Sequence, residues 1–338
     1  MRKTSSNGAG SAPSHARRRV VRLFAGSVVA LVVVAVVSLC MGPSSVSIGD
    51  IAAFATGAPV DATVANIIVN IRMPRVVAGL VAGAALSVAG ALIQAVLDNP
   101  LASPSVIGIN SGAGLAVLAV SACPLLYNDP PRELLPIVAF AGALIAAGLV
   151  FAISARAGVS RLTVVLSGVA INAVAGAGMN TVLLVAPNVY VGSSAYLVGG
   201  FSGVLMRSLM LPALLAAGGM AAAFCLANRL NVLSLGREAA HGLGMRTVTV
   251  RSAALAVAAL LAGCAVSFGG LIGFVGLMVP HAVRRLAGHD NRVVIPLCAM
   301  CGAAFTVLCD TVARTAFAPY ELPVAFCYRW WADRSLST

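Results

Sequence analysis

Side chains able to do chemistry are sparse in this chain. Its 338 residues include ten carboxylates, four histidines, eight cysteines and one lysine. A phosphate-cradling P-loop needs a lysine that reaches the phosphates. Lys3, the sole lysine, sits in a Ser-, Gly- and Arg-rich N-terminal stretch, so ATP binding by that motif is excluded. Cys298 and Cys301 form a CxxC inside an apolar run with no His or carboxylate nearby. Packing is the favoured reading there, ahead of redox or metal chemistry. Cys40, Cys225, Cys264 and Cys309 lie in apolar runs as well. His281 follows Pro280 with no second ligand at helical spacing, so a helix-breaking turn is expected rather than a metal site. Asp310 lies deep in an apolar run with Arg314 four residues on. A carboxylate so placed is a functional candidate, but pairing with Arg314 along one helix is the simpler expectation. No catalytic group, metal or cofactor is expected.

The elements that must position these residues are membrane helices. The chain is 60% hydrophobic and only 9% charged, with mean hydropathy +0.99. Soluble domains carry about 25% charged residues, so there is too little polar surface here to cover a water-exposed globule. An all-α, polytopic transmembrane bundle follows. Apolar segments at 20–41, 75–96, 105–124, 134–155, 162–186, 208–228, 251–268, 271–287 and 293–313 predict nine spans. Residues 1–19 read as a disordered cytoplasmic tail. The formal charge of +12 raises nucleic acid as a partner, but the arginines sit between apolar runs. Topology explains them better. Arg72, Arg75, Arg132, Arg207 and Arg314 fall on one side, and the basic residues before the final tail otherwise fall on the side of the N-terminus, which is therefore expected inside. Glycines four apart, at Gly79 and Gly83, Gly108 and Gly112, and Gly269 and Gly273, suit close helix packing. Asp98-Asn99-Pro100-Leu101-Ala102-Ser103-Pro104 cannot continue a helix. Asn228–Arg251 is the one long connection on the N-terminal side, with a short helix expected near Glu238 and ended by Gly242 and Gly244. An ion-gradient transporter is the alternative class, but it would be expected to show a relay of buried charges, and Asp310 stands alone.

Several motifs in order carry a family resemblance. They are Arg72-Met73-Pro74-Arg75, then Asn99-Pro100-Leu101-Ala102-Ser103-Pro104, then Gly108-Ile109-Asn110-Ser111-Gly112. Farther on come Leu235-Gly236-Arg237-Glu238-Ala239-Ala240-His241-Gly242-Leu243-Gly244 and Gly273-Phe274-Val275-Gly276-Leu277-Met278-Val279-Pro280-His281. Asp310-Thr311-Val312-Ala313-Arg314 and Glu321-Leu322-Pro323 complete the series. From about residue 20 to residue 324 the chain resembles the permease subunits of ferric-siderophore, haem and vitamin B12 ABC importers. The resemblance implies ten spans per subunit and a bacterial plasma-membrane location. It also implies a dimer with an identical or similar permease, two cytoplasmic ATPase subunits and an external substrate-binding protein. It assigns Arg72, Arg75 and Arg314 to binding-protein docking. Leu235, Gly236, Glu238, Ala239, Gly242 and Gly244 would contact the ATPase. Asn99, Pro100, Gly108, Gly112, Gly273, Pro280, His281 and Asp310 belong to pathway or structural motifs. A ferric siderophore is the first expectation for cargo, with haem or cobalamin next. The pattern departs at 325–338, where Arg329, Asp333 and Arg334 interrupt what should be a tenth span. Read in another frame, the codons for Trp330-Trp331-Ala332 give Val-Gly, and the codons that follow allow the family's Pro-containing run, so a frameshifted tail lacking the last helix is expected.

Overall fold

The computed structural model describes residues 12–42, 46–123, 134–156, 160–316, 324 and 327. The first long helix, α1, spans Ala12–Cys40. Two short helices follow, α2 at Ile48–Thr56 and α3 at Ala62–Ile67. Ser47 and Asp50 form a reciprocal capping box at the start of α2, and Gly57 closes it at φ 74°. Asp61 caps α3. A π turn at Ile68–Arg72 then leads directly into α4, Met73–Leu97. Pro74 explains the π turn: it lacks the N–H that the Asn70 carbonyl would take in a regular helix, so the turn before it widens.

Asp98, at φ 48°, ends α4, and the chain breaks as its two prolines require. The Asn99 side chain accepts the Leu101 N–H at 2.9 Å, and a 3-10 turn at Pro104–Ile107 precedes α5, Ile109–Ser121. Next come α6 at Leu134–Arg156, α7 at Arg161–Val185 and the short α8 at Asn188–Val198. The long α9 runs Met206–Leu233, and six-residue α10 at Arg237–Gly242 hangs between it and α11, Thr247–Gly269. The last two are α12, Val275–Ala287, and α13, Asn291–Thr315.

Among the described residues seven helical stretches are long and apolar enough to cross a membrane, counting α3 through α4 as one. Helices α4 and α11 are buried along most of their length and form the centre, with α13, α12, α9 and α6 packed around them. By contrast α1 turns Val21, Val28, Val29, Val32, Val33 and Val36 outward, an apolar face suited to lipid or to another protein.

Two of the nine expected spans are short. Helices α5 and α12 have 13 residues each, because Pro100–Gly108 and Gly269–Phe274 interrupt them. The break in the second case lies ahead of α12, so Pro280 does not end a helix as expected: α12 continues through it to Ala287. The expected loop at Asn228–Arg251 also shortens, since α9 persists to Leu233 and α11 begins at Thr247. Helices α2, α3 and α8 have no counterpart among the nine expected spans. The tail beyond 324 lies outside the described residues, except for Cys327, which is buried like Val324.

Candidate functional site

Among the described residues the expected docking arginines are, with Asp310, the most deeply buried charged side chains. Arg75 projects from the first turn of α4 and sets Nε and Nη2 against the Asp310 carboxylate of α13, at 3.0–3.1 Å. Asp310 also has Arg314 Nε at 3.9 Å, one helical turn along. The expected self-pairing is therefore the looser half of a three-residue cluster. The nearer partner comes from another helix.

The other two arginines finish α1. A helix leaves its last carbonyls without internal partners. Arg72 Nη1 donates to the carbonyls of Leu39, at 2.6 Å, and Cys40, at 3.0 Å. Arg314 Nη2 donates to the Ser38 carbonyl and to Ser38 Oγ. Cations at a helix C-terminus also oppose its dipole. The π turn aids this, since it sits just where Arg72 must turn inward. Arg72, Arg75 and Arg314 are 2%, 7% and 3% exposed. As placed here they brace the ends of α1, α4 and α13 and do not offer themselves to a partner surface.

Backbone-to-backbone contact fixes the centre. A Cβ on Gly90 would run into the Gly276 carbonyl, and one on Gly83 into the Gly302 carbonyl. Pro280 lacks the N–H that would engage the Gly276 carbonyl within α12. That same carbonyl is the one facing Gly90, so α4 and α12 meet where α12 has a spare acceptor. Gly112 of α5 and Gly142 of α6 approach in the same way. Gly108 adopts φ 81° before α5, whereas Gly273 has open space around it. Gln94 Nε2 donates to the Leu277 carbonyl at 3.2 Å, a second α4–α12 tie.

The end of the bundle opposite Asp310 carries α10. Gly236 precedes it at φ 101° and Gly244 follows at φ 74°. Glu238, Ala239 and Gly242 are exposed. So are Leu235 at 64% and Leu243 at 67%, beyond the ends of the apolar spans. At this end Arg161 pairs with Asp98 at 2.8 Å across an exposed surface. Among the described residues no cluster of His, Cys, Asp or Glu suits a metal. Cys298 is buried and Cys301 half-buried within α13. His281 is half-buried on α12.

A multi-pass membrane bundle with broken central helices, and a small helix hung on glycines between two spans, has the architecture of a transport permease. The chain belongs to the FecCD transport family, whose model matches residues 30–329. It is a permease subunit of an ATP-binding-cassette importer. It is 36% identical over 298 residues to the Fe(3+)-citrate import system permease protein YfmE of Bacillus subtilis, covering 87% of each chain. It is 35% identical to the hemin transport system permease protein HmuU of Yersinia pestis, over 77% of this chain and 78% of that one. With the vitamin B12 import system permease protein BtuC of Escherichia coli the identity is 37%, over 75% and 77%. A metal-chelate type ABC transporter solved in an inward-facing conformation superposes with TM-score 0.82 at 25% identity. The match covers 93% of this chain and 97% of that chain.

Proposed function

We propose that this permease pairs with a second one, identical or homologous, to enclose a passage for an iron–siderophore or similar metal chelate. Haem and cobalamin are the other cargo classes. Two ATPase subunits drive it from the α10 side and a soluble binding protein delivers cargo at the Asp310 side. The names of the similar permeases support the cargo class. The observation that carries the ATPase contact is α10 itself. Leu235 and Leu243 are exposed where water, not lipid, would meet them. Apolar side chains at such a place mark a protein interface. Glu238 adds a charge to the first turn, and glycines on both sides set the helix off from the bundle.

Arginine placement supports a cytoplasmic α10 side in a bacterial plasma membrane. Arg17, Arg18, Arg19, Arg22, Arg156, Arg161, Arg229, Arg284, Arg285 and Arg292 gather there, against Arg72, Arg75, Arg207 and Arg314 at the other end. Positive charge collects on the cytoplasmic side, which supports an N-terminus inside. The docking role of the three buried arginines takes an indirect form: they fix the helix ends on which the binding protein is set down.

Replacing Glu238 with Arg, or Gly244 with Val, should lower ATPase retention and ATP-driven uptake of a ferric siderophore while leaving membrane insertion intact. Unchanged retention and uptake in both variants would remove α10 from the interface.

A further inference from the structure

Where α9 approaches α10, polar groups from four helices interlock. Asn231 Oδ1, near the end of α9, accepts the Asn291 backbone N–H and Asn291 Nδ2, both at 2.8 Å. Asn231 Nδ2 donates to Asp290 Oδ1 at 2.6 Å. The same Asp290 oxygen accepts the Arg292 N–H at 3.0 Å and so caps α13. Asn291 Oδ1 in turn accepts from Arg284 Nη2 of α12 at 3.0 Å. That nitrogen also donates to the Ala91 carbonyl of α4 at 3.1 Å. The orientation of the Asn231 amide is fixed by its partners. A backbone N–H must meet oxygen and a carboxylate must meet N–H, so the flipped amide would fail on both sides. Asn291 is buried, at 2% exposed.

We infer that Asn231 is a positioning residue for energy coupling: it ties the end of α9 to the α12–α13 turn and, through Arg284, to central α4. Motion of α10 then moves the centre of the bundle instead of being absorbed locally. Local absorption is the expected default, because Gly236 and Gly244 sit at positive φ on either side of α10 and nothing within 4 Å would meet a Cβ on either. Groups ahead of this pliable segment can stiffen the path, and Asn231 holds bonds to two successive residues at the start of α13, the cap Asp290 and Asn291. A satisfied polar network of this kind is rigid because breaking one member leaves others unpaired. The inference rests on the reading of α10 as the ATPase contact.

The test uses the full importer: permease, ATPase subunits and binding protein in liposomes, with a ferric hydroxamate as probe. The quantity read is ATP hydrolysed per chelate imported. Asn231→Asp sets two carboxylates against each other in place of a donor and an acceptor. It should raise the ratio about tenfold, the coupling expected of residues sharing one network, with ATPase retention unchanged. Asp290→Asn keeps an acceptor oxygen and should stay within about twofold of the parent. The double variant removes one carboxylate and offers its amide N–H to the other, so most of the ratio should return. A merely structural role lowers import and hydrolysis together and leaves the ratio unchanged. That result, or a double variant as poorly coupled as Asn231→Asp, overturns the inference. A parent complex that neither retains its ATPase nor imports overturns the functional reading beneath it.

Discussion

Deleting the Asp310 carboxylate probes the cluster that holds α4 to α13. Asp310→Ala removes both oxygens that face Arg75 Nε and Nη2, and the carboxylate 3.9 Å from Arg314. An exposed ion pair contributes about 0–1 kcal/mol. Breaking a buried pair by removing one member costs about 3–5 kcal/mol, because the remaining charge keeps its desolvation penalty. The side chains of Arg75 and Asp310 are 8% and 3% exposed, so the second figure applies. The assay is unfolding of detergent-solubilised permease with increasing dodecyl sulfate, followed by circular dichroism. A second variant separates charge from packing. Asp310→Leu combined with Arg75→Met removes both charges and fills the space with apolar atoms, which relieves the penalty. Most of the lost stability should return, since Arg314 keeps its bonds to Ser38. A loss under about 1 kcal/mol for Asp310→Ala would refute the buried-cluster account. The double variant also bears on docking. If it folds and accepts the binding protein at the parent rate across ionic strengths, Arg75 makes no direct charged contact with that protein.

Two further outcomes follow from local geometry. Gly90→Ala should lower the unfolding temperature, at a cost of about 1–3 kcal/mol, because the new methyl meets the Gly276 backbone. Gly148→Ala, with nothing within 4 Å, should raise it, through a gain of about 0.5–1 kcal/mol in stability. The reverse order in calorimetry would sink the reading of Gly90 as a contact point. Asp61 accepts the Thr63 N–H at 2.7 Å, and that bond holds its carboxyl below the ordinary 3.8. Its cap is therefore present above the ordinary carboxylate range and disappears as pH falls through the lowered value. A carbon-detected NMR titration of Asp61 with a midpoint at or above 3.8 would exclude the cap.

The spans were legible because each is a local property of the sequence. A run of about 20 apolar residues predicts a helix wherever it packs, and 134–155, 162–186 and 293–313 are matched by α6, α7 and α13 within a few residues. The break after Leu97 was legible for the same reason, since Pro100 and Pro104 exclude helix regardless of their neighbours. Short helices were not. Helix α8 has 11 residues, too few to register as a span, and its end is fixed from elsewhere: the Gly200 N–H donates to the Gly269 carbonyl and the Leu271 N–H to the Tyr196 carbonyl. The length of α12 was misjudged because Leu271, Ile272 and Phe274 are apolar enough to extend a span, while Gly270 at φ 72° turns the chain away.

The roles of the charged residues show where a local rule stops. Asp310 and Arg314 are four apart, so their contact was open to inspection. Arg75 and Asp310 are 235 residues apart, and only the crossing of α4 and α13 brings them together. An arginine at the end of an apolar run is read as facing the membrane surface, because a lone charge in the hydrocarbon is costly. That reading holds for a helix considered by itself. In a bundle the end of one helix lies against the end of another, and the neighbour's last carbonyls are acceptors without internal donors. Arg72 and Arg314 meet the acceptors of α1 in this way, so the requirement that set their position in the sequence is satisfied inside the protein and not by headgroups or water. The Asn231, Asp290 and Asn291 cluster obeys the same logic at the opposite end. Asn231 lies 59 residues from Asp290 and 60 from Asn291, and they become one object only because the last turn of α9 meets the first turn of α13.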